Sequence, residues 1–400
     1  MDKDFPLKGF GSASVHAGHH DEPLHAHQTP IYASSTFIFD TAEQGMKRFS
    51  GEEPGYIYSR WGNPTMTEAA DRIAALETFR LNLEVMGILH SSGMAAIASL
   101  LFANLKAGDK VLSHFSLYGG SNEILFKILP ELNIEPIIVD LRKLDEVEGV
   151  LKQYPDIKLM YLETPANPTI QCVDIEALSK IGKKYNLIVA CDNTFATPYL
   201  QQPFKYDVDF VIHSTTKFLN GHGTAIGGVL IGRDIEFMKT KVTKVHRLLG
   251  GNSNGFDAFL LIQGIKTLEI RMDRHCSNAM EVARYLEGHN AIAKVNYSGL
   301  ASHPDHQVAL KQMRHPGAML SFELKSGLQG GIDFMNKLKM CVRTVSLGTV
   351  DTLLSHPASM THYSVPKEQR ERYGITDGLI RMNVGIENLQ DILADLDQAL

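Results

Sequence analysis

The stretch VDIEALSKIGKKYNLIVACDN, residues 173–193, contains a helix and a strand back to back. Asp174 stands where an N-cap would accept a backbone N–H, Ile175, Leu178 and Ile181 recur at helical spacing, and Lys183 and Lys184 sit where the helix dipole favours cations. NLIVACD then runs on as an uninterrupted apolar segment, too short for a second helix and polar only at its end. Such a run reads as a strand buried on both faces, which is the signature of a parallel sheet. The same alternation extends outward in both directions. MGILH, DKVLSH, EPIIVD, KLMYLET, NLIVACD and DFVIHS are apolar runs separated by helical patterns such as GMAAIASLLFANL. An α/β fold with helices on both faces of a mostly parallel sheet follows.

Around this block the texture changes. Residues 1–62 are rich in turn formers, as in DEPLHAHQTP and SGEEPGYIYSRWGNPT, and read as an extended N-terminal arm. Residues 63–255 carry the strand and helix alternation. Residues 256–400 open with long helical patterns and continue with shorter strands such as AMLSFEL, so they read as a smaller C-terminal α/β domain.

Composition narrows the partners. The chain has 400 residues, 44% hydrophobic and 21% charged, with a net charge of −6 and no long basic run, so nucleic acid is not an expected ligand. No segment approaches the ~20 apolar residues of a membrane span, and the N-terminus lacks a charged then apolar leader. The four cysteines, Cys172, Cys191, Cys276 and Cys341, are far apart and read as reduced thiols. A soluble cytoplasmic protein acting on a small molecule is expected.

In an open parallel sheet, ligands bind beyond the carboxyl ends of the strands, so the residues just after each apolar run are the first candidates. After MGILH comes SSGMAAI, where Gly93 permits close backbone approach and a helix start offers N–H groups to an anion. NLIVACD ends on Asp192, a carboxylate that needs a cation or donors at that depth. One strand later, DFVIHSTTK brings Ser214, Thr216 and Lys217, two hydroxyls suited to phosphate and an amine suited to Schiff-base chemistry. A lone lysine after a strand is ordinarily solvated; beside the other two features it acquires a purpose. No P-loop, dinucleotide fingerprint or HExxH motif is present, and the five histidines among residues 1–27 fit no metal site. An anion-binding helix start, a strand-end carboxylate and a strand-end lysine together suit pyridoxal phosphate: donors for its phosphate, an acid for its ring nitrogen and an amine for its aldehyde.

At these residues the chain resembles the Cys/Met-metabolism family of fold-type I pyridoxal phosphate enzymes. The likeness spans nearly the whole sequence, through TPIYASSTF, YSRWGNPT, SSGMAAI, LYGG, ETPANP, DNTFATPYLQ, HSTTKFLNGHG, GIKTLEIRMDRH, SLGTVDTLLSHPASMTH and GLIRMNVGIE. It implies the fold-type I transferase fold, a large domain with a mostly parallel seven-stranded sheet and a smaller C-terminal α/β domain. It also implies roles by motif. Lys217 would form the Schiff base with pyridoxal 5'-phosphate, and Asp192 would pair with the ring nitrogen. Ser92, Gly93, Met94, Ser214 and Thr216 would hold the phosphate, with Tyr58 and Arg60 reaching the phosphate of a neighbouring subunit. Tyr118 would stack on the ring and act as an acid, Arg381 would clamp the substrate carboxylate, and Asn167 and Ser346 would line the substrate site. A homotetramer, a dimer of dimers that share active sites, is implied as well.

Within the family, members directed at cystathionine typically carry acidic residues before YSR and before the SLG serine, and an arginine shortly after YGG. This chain has Ile57, Val345 and Ser121-Asn122-Glu123 instead. Its tail looks most like the methionine-cleaving members, although Gly120 stands where those have cysteine and His246-Arg247 where they have Lys-Asp. The expected reaction is γ-elimination from methionine or homocysteine to 2-oxobutanoate, ammonia and a thiol. Cleavage of cystathionine, γ-replacement on O-acyl homoserine and a silent binding protein on the same fold are the alternatives. Retention of Lys217, Asp192, Tyr118 and Arg381 together speaks against the last.

Overall fold

The structure is a computed structural model that describes residues 6–21, 23–363 and 365–400; the first five residues of the arm lie outside the described residues. In it Asp174 caps the helix Ile175–Lys184, accepting from the Ala177 N–H at 3.0 Å, and Ile175, Leu178 and Ile181 form its buried face. The chain then returns as the strand Ile188–Asp192.

That strand is β5 of a seven-stranded sheet. Its companions are β1 (Met86–His90), β2 (Lys110–Ser113), β3 (Glu135–Ile138), β4 (Ile157–Glu163), β6 (Phe210–Ser214) and β7 (Gly228–Gly232), in the order β1-β7-β6-β5-β4-β2-β3. The links among β2 to β6 are parallel, whereas β7 runs antiparallel to both β1 and β6. The six apolar runs named above are six of these strands. GVLIG is the seventh, a short, fully buried run between glycines whose flanks signal turns as strongly as its centre signals a strand.

Both faces of the sheet are covered. Along β4, Met160 and Leu162 enter one apolar cluster with Val189 and Val211, while Leu159 and Tyr161 enter another with Ala190 and Ile212. A third cluster fills the C-terminal domain, against a second sheet of β8 (Ile292–Asn296), β9 (Met319–Leu324), β10 (Val342–Arg343), β11 (Leu353–Ser355) and β12 (Leu379–Asn383), ordered β10-β11-β12-β9-β8. The helix Leu268–Glu287 is shared between the two bodies. Leu268, Met272 and Cys276 belong to the larger core, Ala279, Val282 and Leu286 to the smaller. Upstream of residue 63 the described residues include the helices Phe10–His16 and Ala42–Ser50, and Thr36 bridges to Tyr58. No described helix is long and apolar enough to cross a membrane.

One buried cation joins this scaffold to the segment after β6. Arg271, 4% exposed, donates to the carbonyls of Phe218 at 2.8 Å and Gly264 at 2.7 Å, so it pins the backbone next to Lys217 to the long helix. Arg271→Leu leaves those carbonyls buried and unsatisfied; a loss of about 2–4 kcal/mol of stability is expected in denaturant titration. A change below about 0.5 kcal/mol would mean that water replaces the guanidinium at no cost.

Candidate active site

The carboxyl ends of β4, β5 and β6 open onto one cavity of about 420 Å³, closed from the other side by β12 and residues 345–347 of the smaller domain. Ser92, Gly93, Met94, Tyr118, Asn167, Asp192, Ser214, Thr216, Lys217, Ser346 and Arg381 all line it. Residues scattered over nearly 300 positions of sequence thus meet because the parallel strands deliver their ends to one edge.

One end of the cavity is built for an anion. The helix Gly93–Asn104 starts there, with the Ser92 hydroxyl accepting from the Ala95 N–H at 3.1 Å. The Gly93 and Met94 N–H groups have no acceptor within the helix and sit at its positive end. A Cβ on Gly93 would stand 2.8 Å from the Ser214 Cβ, so the glycine is what lets the helix start approach the end of β6. The Thr216 hydroxyl accepts from the Gly227 N–H at 3.0 Å, which ties the turn after β6 to the entry of β7.

Further in, two carboxylates face one another across neighbouring strands. Asp192 and Glu163 are register partners of β5 and β4. Asp192 accepts from the Thr194 N–H at 3.0 Å, the Thr194 hydroxyl at 2.5 Å and the Tyr161 hydroxyl at 3.2 Å, yet burial still raises its carboxyl above the ordinary range. Glu163 is 6% exposed and accepts from the Tyr118 N–H at 2.8 Å and the Asn167 N–H at 3.1 Å. Burial, then the charge of Asp192, pushes its carboxyl up to about 8. Neither has a Lys, Arg or His ion-pair partner among the described residues. A buried acid pair of this kind calls for a proton or an external cation, and a protonated ring nitrogen supplies one.

The opposite wall is cationic. The Lys217 Nζ lies 3.4 Å from the Ser346 hydroxyl, and burial, with a smaller push from Arg381, holds its amine down to about 8. Arg381, on β12 and 6% exposed, donates to the Val345 carbonyl at 2.9 Å, the Ser346 carbonyl at 2.8 Å and the Asn167 amide oxygen at 3.3 Å. Its Nε is buried with no hydrogen-bond partner, and the side chain lines the cavity, where a guanidinium suits a ligand carboxylate. Helix-start donors, acid pair, free amine and buried guanidinium match the parts of pyridoxal phosphate and an amino-acid substrate. Because only the neutral amine attacks an aldehyde, capture of the cofactor by the ligand-free chain is expected to speed up with pH, about tenfold per unit below 8, and to level off above it. Stopped-flow absorbance would read this; a rate flat from pH 6 to 8 contradicts it.

Other expectations land elsewhere. Tyr58, 41% exposed, and Arg60, stacked with its guanidinium 5.4 Å from the Tyr58 ring centroid, do not line the cavity of their own chain, and Arg60 donates to the Arg247 carbonyl. Ile57 is not on the cavity wall, and Glu123 is exposed and paired with Lys127 at 2.6 Å. His246 is buried against His90, with ring centroids 4.8 Å apart, and Arg247 lies over Trp61, and neither lines the cavity. Gly120 has a local reason: a Cβ there would stand 2.7 Å from both the Met94 sulfur and Tyr118 Cε1, so any side chain would displace the Tyr118 ring. Gly221 and Gly223, with φ of +73° and +67°, make the bend after Lys217, while His222 turns its Nδ1 to the Asn220 carbonyl at 2.7 Å.

Sequence reasoning missed Glu163, Tyr161, Thr194, Ile226 and His362, of which Glu163, Thr194, Ile226 and His362 line the cavity. A strand-end carboxylate marked Asp192, and the same signal was present in YLET for Glu163.

The profile of the Cys/Met metabolism PLP-dependent enzymes matches residues 11–400. The chain is 47% identical to the L-methionine gamma-lyase of Fusobacterium nucleatum subsp. nucleatum over 393 residues, covering 98% of each chain. It is 43% identical to the L-methionine gamma-lyase of Porphyromonas gingivalis, covering 100% of this chain and 98% of the relative. Among solved structures, the cystathionine gamma synthase of Xanthomonas oryzae pv. oryzae superposes with a TM-score of 0.90 at 36% identity, over 98% of each chain. The chain belongs to the Cys/Met metabolism PLP-dependent enzyme family, its fold is that of the fold-type I enzymes, and its cofactor is pyridoxal 5'-phosphate.

Proposed function

We propose that this family member is a methionine-type γ-lyase, which releases the γ-thiol of methionine or homocysteine and leaves 2-oxobutanoate and ammonia. The observation that carries this reading is the charge inventory of the cavity. Among its described lining residues the only lysine and arginine are Lys217 and Arg381, one used by the cofactor and one by the α-carboxylate, so no cation remains for a distal carboxylate such as that of cystathionine. The remaining wall includes Val345 and Ile226, apolar side chains 58% and 64% exposed that suit an uncharged thioether. The 47% and 43% identities to methionine gamma-lyases support the same choice.

In this reading Arg381 fixes the substrate carboxylate, aided by Asn167 and Ser346. Pyridoxal phosphate, when bound, supplies the electron sink for charge developing at Cα. Asp192 holds the ring nitrogen protonated, Ser92, Gly93, Met94, Ser214 and Thr216 hold the phosphate, and Lys217 removes the Cα proton and carries it onward. Tyr118, 49% exposed at the cavity wall, donates a proton to the departing thiolate. Tyr58 and Arg60 serve the phosphate of a second subunit within a homotetramer; their position outside their own cavity is consistent with that role. We place the arm at 1–62, the cofactor domain at 63–255 and the C-terminal domain at 256–400, and the enzyme in the cytoplasm.

The test is a panel of methionine, homocysteine, cystathionine, cysteine and O-acetylhomoserine with a thiol, scored for 2-oxobutanoate, pyruvate, thiol and thioether. Methionine and homocysteine are expected to give 2-oxobutanoate with the highest kcat/KM. Faster cleavage of cystathionine, or thioether formation as the main product, would sink the reading in favour of a cystathionine lyase or a γ-replacement enzyme; a colourless protein inert to the whole panel would indicate a silent binding protein.

A further inference from the structure

Glu163 touches both halves of the site through backbone alone. Its Oε2 accepts from the Tyr118 N–H at 2.8 Å and its Oε1 from the Asn167 N–H at 3.1 Å. Tyr118 forms one wall of the cavity, and Asn167 passes the connection on by accepting from Arg381 at 3.3 Å. One carboxylate therefore sets the spacing between the cofactor wall and the substrate clamp. Its strength as an acceptor depends on its charge, since a bond to an ionised acceptor is roughly twice as strong as one to a neutral acceptor.

That charge depends on Asp192, the register partner on β5. The other titratable groups around the pair are Tyr161 on the strand of Glu163 and Cys191 on β5, both neutral because burial pushes them well above their ordinary values, and His213 on β6, whose Nε2 is engaged by Glu77 at 2.6 Å, with Lys217 and Arg381 across the cavity. Asp192 has three donors, from Thr194 and Tyr161, against two for Glu163, so the ionised form is better supported on Asp192. Two adjacent buried carboxylates without a cation do not both ionise readily.

We propose that Glu163 is a positioning residue that is protonated while the site is empty and ionises when a cationic ring nitrogen pairs with Asp192, so that loading the cofactor tightens its hold on Tyr118 and Asn167. The O–H bond of Glu163 breaks and its proton leaves to solvent, or to the ring nitrogen where that nitrogen arrives unprotonated, with no change of oxidation state. Cofactor binding thereby rigidifies the substrate clamp before substrate arrives.

The inference rests on Asp192 being the ring partner, and calorimetry separates the two. Pyridoxal 5'-phosphate is titrated into the cofactor-free protein at pH 7 in buffers of different ionisation enthalpy, which yields the protons exchanged on binding. Whatever protonation state the cofactor brings is common to all chains. Glu163→Gln, which has no proton to give, is expected to take up about one proton more than the wild type, with Glu163→Asp close to the wild type. Above pH 9, where the wild-type Glu163 is already ionised, the difference is expected to vanish. Equal proton counts for the wild type and Glu163→Gln at pH 7 would overturn the proposal. If Glu163→Gln does not fold, the count is taken in Lys217→Ala, where the lysine cannot titrate, and must shift by about one proton between pH 7 and pH 9.5 beyond the shift of the free cofactor; no such shift overturns it. Asp192→Asn that loads with wild-type affinity would instead refute the assignment of Asp192, a distinct outcome.

Discussion

Lys217→Ala is expected to lower 2-oxobutanoate formation by about 10⁴-fold, the scale of losing a proton carrier in addition to the cofactor's covalent anchor. The loss is chemical rather than structural. Lys217 is largely buried, has no ion pair among the described residues, and its amine is held down to about 8 by burial and by Arg381, so the folded state gains little from it. The variant should therefore unfold at the same or slightly higher denaturant concentration, since a strained buried cation has been removed. The absorbance band of the lysine-linked cofactor should disappear, while phosphate-anchored cofactor remains dialysable. A variant retaining a tenth of wild-type activity would assign the proton transfer to another group, with Tyr118 the nearest candidate on the cavity wall.

Arg381→Lys is expected to raise KM for the amino acid by about 10- to 100-fold, as charge-assisted hydrogen bonds of about 1.5–3 kcal/mol are replaced by one mobile ammonium. The guanidinium does two jobs that lysine cannot combine. Its NH2 group satisfies the carbonyls of Val345 and Ser346, which shapes the segment presenting the Ser346 hydroxyl to Lys217, and the same side chain lines the cavity as one of its two cations among the described lining residues. Burial lowers the guanidinium to about 10, so it stays charged across the working range and KM should be flat in pH from 6 to 9 as far as this group is concerned. Arg381→Leu should be worse than Arg381→Lys in KM and also lose about 2–3 kcal/mol of stability through the orphaned carbonyls. A KM within twofold of wild type for Arg381→Lys would remove Arg381 from carboxylate binding.

The class of fold could be read from short-range pattern because its causes are short-range. Asp174 caps the helix that follows it, Ile175, Leu178 and Ile181 bury one side of that helix, and the unbroken apolar runs such as LIVAC require cover on both faces. The strand ends of such a sheet share one edge, so Asp192 and Lys217 could be placed near one another, and the motif resemblance then supplied Tyr118 and Arg381. The flanking glycines of GVLIG carry the local signal of a turn, and only its pairing with β1 and β6 makes it a strand.

What pattern could not supply was distance and charge state. Glu163 and Asp192 are 29 residues apart and equally acidic in sequence; their register pairing across β4 and β5 makes them one electrostatic unit in which burial raises both carboxyls and the donors around each set them apart. Gly120 looked like a missing side chain, and the 2.7 Å from its notional Cβ to Tyr118 shows it as space reserved for a ring. Ile57, Glu123 and His246 stand close in sequence to site motifs, yet none of them lines the cavity of its own chain. Sequence alone determined most of the elements and the cofactor chemistry, and named the candidate reacting groups, since residue type, local spacing and motif likeness carry those. The tertiary structure decided which groups share a low-dielectric cavity, and hence their charge and reach, since Coulomb energy and hydrogen bonding depend on ångströms that no spacing along the chain records.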